Sequence, residues 1–299
     1  MKLKDLGEFG LISRIRGKEK RCKGVVRGVG DDCAVIDDGG RDYLLVTQDM
    51  LTEEVHFRVK EAGYRRIGRK ALGVSLSDIA AMAGRPEFYT LSLACPANTE
   101  VKAIDEFYRG LEEAASGYGV KLVGGDTSRA KRFVCDICLF GRVEKRLVTL
   151  RSGARIGDDI FVTGTLGGSR GKKEFCFTPR VKEARILVRN YRINSMIDIS
   201  DGLSSDIRRI AEESGVGAEM WASRIPVARG AKGIINAISD GEDFELLFTA
   251  PAGYKEKDIS RKLSLKVSRI GRIVPRQEDI VVKDKNGKKI SAKRGFLHF

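Results

Sequence analysis

Short apolar runs alternate between strand-like and helix-like spacing along this chain, and aspartates stand at their ends. CAVID and YLLVTQ read as neighbouring strands joined by the turn DGGRD, with FYTLSLACP, VKLV and RFVCDICLFGRVE as further strands. Between them, RRIGRKALGVSLSDIAAMAG carries Ile67, Leu72, Leu76, Ile79 and Ala83 at helical spacing, and TEVKAIDEFYRGLEEAASGYG reads as a long amphipathic helix. After a basic, polar crossing around EKRLVTLRSGARIGD the alternation resumes. DDIFVTG, SMIDIS, EDFELLFTAP, LKVSRIGRI and DIVVKD read as strands, VKEARILVRN and SSDIRRIAEESG as helices. At 299 residues the expectation is two mixed α/β (α+β) domains, residues 1–147 and 148–299.

Composition removes several classes. A 42% hydrophobic and 32% charged chain is globular rather than fibrous or disordered. No apolar run approaches the ~18 residues of a membrane span. The start MKLKDLGEFG has no apolar signal core, so a cytoplasmic protein is expected. The net charge of +14 would suit a nucleic-acid binder. The basic residues are dispersed, however, without interleaved aromatics, and no nucleic-acid partner is expected. The pair Cys135 and Cys138 lacks a second ligand pair for zinc and falls in a strand-like run, so core thiols in a reducing compartment are the reading.

The acids carry the functional signal. Asp49 ends LLVTQD, Asp78 interrupts GVSLSDIAAM, Asp126 follows KLVGG, Asp198 and Asp201 lie in MIDISDGL, and Asp31 and Asp32 precede CAVI. Carboxylates against buried apolar surface cost several kcal/mol unless capped, paired or metal-bound. Capping a helix start remains open for Asp126 and Asp201, but not for Asp78 in mid-helix. Recurrence in separate segments points to a shared cation site. Oxygen ligands without His or Cys clusters favour Mg²⁺ or Mn²⁺, and such clusters most often act on polyphosphate. The P-loop, the dinucleotide fingerprint and the protein-kinase signatures are all missing, so a nucleotide site would need another scaffold.

In order, GEFGLI, GVGDDCAVI, TQDMLTEEVHF, KALGVSLSDIAAMAG, LVGGDTSR, LRSGARIGD, VTGTLGG, MIDISDGLSSDI, GEDFELLFTAP and GFLHF span nearly the whole chain. In these segments the chain resembles the thiamine-monophosphate kinase family, which shares a superfamily with aminoimidazole ribonucleotide synthetase and selenophosphate synthetase. The resemblance implies an N-terminal sheet that pairs across a homodimer and a C-terminal domain packed on it. It implies ATP- and Mg²⁺-dependent phosphorylation of thiamine monophosphate by direct in-line transfer. The implied metal ligands are Asp32, Thr47, Gln48, Asp49, Asp78, Asp126, Asp198 and Asp201. ATP contacts would come from Tyr108, Gly125, Asp126, Arg151 and Ser200, with Asp126 and Arg151 central to catalysis. Thiamine phosphate would meet His56, Glu242 and Phe296.

The chain departs from the family pattern in three places. Gln48 stands where the family usually has Thr; a carbonyl ligand would survive the change and a hydroxyl ligand would not. The usual Gly-Gly-Glu-Asp is Asp240-Gly241-Glu242-Asp243, and GSRGKKEFCF replaces a Gly/Ala-rich helix start. By composition alone His56 could be an ordinary histidine, Phe296 a core anchor and Glu242 a solvated strand edge. The rival functions are another ATP-dependent enzyme of the superfamily, a basic nucleic-acid binder and a metal-binding structural protein.

Overall fold

The computed structural model describes residues 2–18, 22–169, 171 and 173–290, without the side chains of residues 8 and 9. Its first part runs α1 (Leu3–Arg16), β1 (Val25–Arg27), β2 (Ala34–Ile36), β3 (Asp42–Thr52), α2 (Val59–Ala62), α3 (Tyr64–Ala81) and β4 (Arg85–Cys95). It continues with α4 (Val101–Ser116), β5 (Lys121–Arg129) and β6 (Val134–Glu144). These strands form one sheet in the order β1-β2-β3-β6-β4-β5, antiparallel except for the parallel pair β4–β5. Along β3 and β6 burial alternates, so one face is apolar and packed while the other stays open, as in an antiparallel sheet covered on one side.

The second part runs β7 (Asp159–Thr163), α5 (Val181–Asn190), β8 (Ser195–Asp198), α6 (Leu203–Ser214), β9 (Gly217–Trp221) and α7 (Ile234–Ser239). It ends with β10 (Leu246–Ala250), α8 (Glu256–Leu263), β11 (Val267–Val274), β12 (Ile280–Lys283) and β13 (Lys289–Ile290). The second sheet has the order β13-β12-β9-β11-β7-β10-β8. Strands β7, β8 and β10 are buried along their whole length, because helices cover both faces there. The expected mixed α/β class with two sheets is what the chain adopts.

Helix α3 positions the site. Its Leu72, Leu76 and Ile79 pack into the core of the first sheet, while Ala80 and the following Ala83 pack with Phe161, Met196 and Phe248 of the second. On its flank α4 comes so close that a Cβ at Gly68 would lie 2.0 Å from the Phe107 carbonyl oxygen. Whatever polar residue α3 carries at its centre is therefore delivered to the seam between two sheets.

Two expectations change. The Gly-Gly-Asp stretch has the composition of a turn near a helix start, but it lies inside β5, whose pairing with β4 runs through to Arg129. Gly125 is needed there because a Cβ would sit 1.9 Å from the Leu91 carbonyl oxygen. Asp126 is consequently no helix cap. Conversely, EDFELLFTAP is strand only from Leu246, since Glu242 and Phe244 take positive φ values of 64° and 50°.

Candidate active site

The stretch around Asp78 shows how the site is assembled. Ser75 and Ser77 lie two residues apart on α3 and therefore face opposite sheets. Ser75 Oγ donates to Asp49 Oδ2 on β3 at 2.8 Å, and Ser77 Oγ to Asp198 Oδ2 at the end of β8 at 2.6 Å. Asp78 lies between them and accepts the Thr47 hydroxyl. A strand (β3), a strand end (β8) and the middle of a helix thus deliver these three acids. Among the described residues, carboxylate oxygens of Asp32, Asp78 and Asp198 lie within 4.8 Å of one another.

Adjacent aspartates before β2 divide their work. Asp31 Oδ1 accepts the Arg151 backbone N–H at 3.1 Å and Oδ2 accepts Arg27 Nε at 3.2 Å, so Asp31 holds the loop. Asp32 turns into the cluster, where Arg151 Nη2 donates to its Oδ1 at 2.5 Å. Its Oδ2 is buried without a protein partner, and so is Arg151 Nε. A buried acceptor and a buried donor are left over in one ion pair.

The electrostatics reflect this crowding. Burial, reinforced by the charge of Asp32, pushes the Asp198 carboxyl up to about 7. Burial raises Asp49 to about 6 despite the Ser75 hydrogen bond, and raises Asp31 to about 6 with help from Asp32. Asp78 moves well above the usual range through burial and the charges of Asp49 and Asp198. These acids cannot all be ionised without a further cation. Converging hard oxygens, one of them orphaned, suit Mg²⁺.

A cleft of about 1430 Å³ opens beside the cluster. Of the expected site residues, Asp32, Thr47, Gln48, Asp49, His56, Asp78, Arg151, Ser200, Asp201 and Glu242 line it. Asp198 is buried next to Asp32 and Asp78. Asp201 precedes α6 and is paired with Arg209, which also holds the buried Asp206. Gly125, Asp126 and Tyr108 do not line the cleft. The first two lie on the exposed strand β5, and Tyr108 packs edge-on against Phe107 at 5.9 Å. Phe296 lies outside the described residues.

At the other end of the cleft is a group that the sequence pattern does not single out. Lys70 of α3 is fully buried, and its Nζ donates to the His56 carbonyl at 2.9 Å, Glu174 Oε2 at 3.0 Å and both oxygens of Glu242 at 2.8 Å. Glu174 comes from the 3₁₀ turn Lys173–Phe175, inside the segment that departs from the family pattern. Asp243, next to Glu242, is instead spent on the Gly167 N–H and the Ser169 hydroxyl, and is structural.

The family models for the AIR synthase related protein N-terminal and C-terminal domains match residues 30–143 and 156–284. The thiamine-monophosphate kinase of Aquifex aeolicus (strain VF5) is 34% identical to this chain, over 100% of both chains. That of Bacillus subtilis (strain 168) is 32% identical over 98% of this chain and 100% of its own. Among solved structures, AaThiL complexed with AMPPCP and TMP matches with a TM-score of 0.86 at 32% identity, covering 100% of this chain and 99% of that one.

Proposed function

This chain belongs to the thiamine-monophosphate kinase family of AIR synthase related proteins, and from that premise we propose that it transfers the γ-phosphoryl group of ATP onto the phosphate of thiamine monophosphate. The products are thiamine diphosphate and ADP. The observation that carries the reading is the convergence of Asp32, Asp78 and Asp198 beside an open cleft, with an orphaned Asp32 oxygen and an unspent Arg151 donor.

In this reading Asp32, Asp49, Asp78, Asp198 and Asp201, with Thr47 and the Gln48 carbonyl, would hold several Mg²⁺ ions, and Asp126, which lies off the cleft of a single chain, would join them from a second copy. Bound Mg²⁺ supplies positive charge to the phosphoryl oxygens that meet during transfer. Arg151 offers its Nε–H to the same oxygens while its Nη2 stays anchored on Asp32. Ser200 lines the cleft on the ATP side. His56, Glu242 and Phe296 take the acceptor. A phosphate monoester with a second pKa of about 6 is mostly a dianion at neutral pH, so no general base is required. Repulsion between two anions is the obstacle, which Arg151 and bound cations would offset.

The homodimer belongs to the same reading. Strand β5 is exposed throughout, with Leu122 and Val123 at 41% and 60% exposure on a sheet edge that pairing would cover. Gly125 and Asp126 lie on that edge, so a second copy is what would bring them and Tyr108 into service for ATP. The two domains are taken as residues 1–147 and 148–299. Among the described residues no helix is long and apolar enough to cross a membrane. The buried thiols Cys33 and Cys135 suit a cytoplasmic, reducing setting.

The test supplies the folded protein with ATP, Mg²⁺ and thiamine monophosphate and quantifies thiamine diphosphate and ADP. Both products are expected in equal amounts. If neither product forms, the kinase reading fails, and turnover only with another phosphorylated acceptor would hand it to a superfamily rival.

A further inference from the structure

Lys70 is where three distant stretches of chain meet. Its ammonium has three N–H donors, and they are matched by the His56 carbonyl, Glu174 and Glu242, with the Phe175 ring 5.1 Å from Nζ. Enclosing an ammonium group is costly, and saturating it in this way is what makes it tolerable. Two of the three partners belong to residues assigned above to the acceptor.

Both are held in forms they would not adopt unaided. Glu242 sits at φ 64°, unusual for a residue with a Cβ, and is retained by its own N–H on the Ser200 carbonyl at 2.7 Å and by Lys70 on its carboxylate. His56 has its backbone tied to Lys70 and its Nδ1 accepting the Thr52 backbone N–H at 2.9 Å. Because a backbone N–H can only donate, Nδ1 carries no proton and a neutral ring keeps its proton on Nε2.

We propose that Lys70 is a positioning residue that fixes Glu242 and His56 as one wall of the acceptor subsite, a wall that among the described residues is one positive charge short and that the cationic ring of the acceptor completes. The proposal rests on the kinase reading above, in which that ring is a thiazolium. The charge count comes from the neighbours. Among the described residues, the ionisable groups facing Glu242 are Lys70 from α3 and Glu174 from the 3₁₀ turn, so there two carboxylates share one ammonium. Burial and the hydrogen bond with Glu174 raise the Glu242 carboxyl to about 8. Glu242 is therefore the acid that keeps the proton, and a fixed cation arriving beside it displaces that proton.

The experiment measures KM for thiamine monophosphate and for ATP separately, with kcat, in wild type, Lys70→Met, Lys70→Arg and Glu174→Gln between pH 7 and 9. In wild type, KM for thiamine monophosphate should fall as pH rises through about 8 while KM for ATP stays flat. Lys70→Met should raise KM for thiamine monophosphate roughly 10- to 100-fold and leave KM for ATP within about twofold, and Lys70→Arg should recover part of the loss. Glu174→Gln retains the packing and removes the competing acid, so the pH dependence of KM should flatten. Equal changes in both KM values, or an unchanged pH profile in Glu174→Gln, would overturn the proposal. A wild type that makes no thiamine diphosphate would instead overturn the kinase reading.

Discussion

Asp78 and Lys70 stand eight residues apart on one helix, roughly 12 Å along its axis, and each gathers buried carboxylates from distant strands and turns. Around Lys70 every donor has an acceptor, and the acids bring an ammonium with them. Around Asp78 three carboxylates converge with Arg151 as the nearby cation, and an oxygen of Asp32 and the Nε of Arg151 are left over. The residue types are alike, and the difference lies in how far each cluster is satisfied. Among the described residues, the two acids at Lys70 lack one charge but leave no donor or acceptor over, so they can serve as a wall. The acids at Asp78 lack more charge and leave partners over beside an open cleft, which is where recruited cations become useful chemistry.

The hardest test of this contrast is Asp78→Asn. Removing a carboxylate from the unsatisfied cluster should lower turnover on the order of 10³-fold, since the lost charge stabilises the transfer itself. In metal-free buffer the same change should raise the melting temperature, because it relieves buried repulsion. Activity and stability then move in opposite directions. A lower metal-free melting temperature would mean that the acids were already satisfied, and the distinction from Lys70 would collapse.

Next in size is the pH dependence of stability without metal. The Asp198 and Asp49 carboxyls stand at about 7 and about 6 in the folded protein, against 3.8 for a free side chain. The folded state therefore holds protons that the unfolded state has released. Their contribution is complete below pH ~4 and disappears as pH rises through 6 to 7. Each pH unit between the folded and unfolded titration points is worth ~1.4 kcal/mol. Glu144, held down to about 2 mainly by Arg185, acts with the opposite sign and below pH 4.5. Urea unfolding in a chelator should thus show stability dropping by a few kcal/mol between pH 4 and 7. Saturating Mg²⁺ should flatten the slope to what Asp31 and Glu242 leave; parallel curves with and without Mg²⁺ would remove the acids from the metal site.

A smaller effect separates the two ends by their supports. Ser77 serves Asp198 and nothing around Lys70. Ser77→Ala should raise the Mg²⁺ concentration for half-maximal activity about 10-fold, the usual cost of losing a group that orients a ligand. KM for thiamine monophosphate should not move. A change confined to that KM would show that Ser77 acts on the wrong end.

The contrast also marks what can be read from sequence. Asp78 is legible because an acid inside an apolar helix has no local partner, and Asp32 and Asp49 because they abut apolar strands. Asp126 is legible as an acid but not as a place: the pairing of β5 with β4, a long-range choice, makes a strand of what looks like a turn. Lys70 is illegible. Beside Arg65, Arg66 and Arg69 it resembles one more charge on a solvated face. Only the arrival of residues 56, 174 and 242 from far along the chain turns it inward. Local pattern reports that a charge is unpaired, but not which distant group pairs it.

Gln48 gives the finest test, because its side chain turns away from the acid cluster that its neighbours Thr47 and Asp49 join. Along β3 the side chains of Leu45, Thr47 and Leu51 turn inward, whereas Gln48 is exposed on the open face. There its amide donates to Asp136 Oδ2 at 2.7 Å, leaving Asp136 Oδ1 without a partner. A threonine hydroxyl at this position would face the same way, so a role for residue 48 in holding metal can come only from its carbonyl. Gln48→Thr should therefore leave the Mg²⁺ dependence of turnover unchanged. It should cost about 1 kcal/mol of stability by stripping Asp136 of its remaining partner. Asp136→Ser in the same chain should restore most of that loss, giving a double-mutant coupling of about 0.5–1 kcal/mol in urea unfolding. A shifted Mg²⁺ dependence in Gln48→Thr would place this side chain within the acid cluster and move the boundary between the saturated and the unsatisfied parts of the sheet.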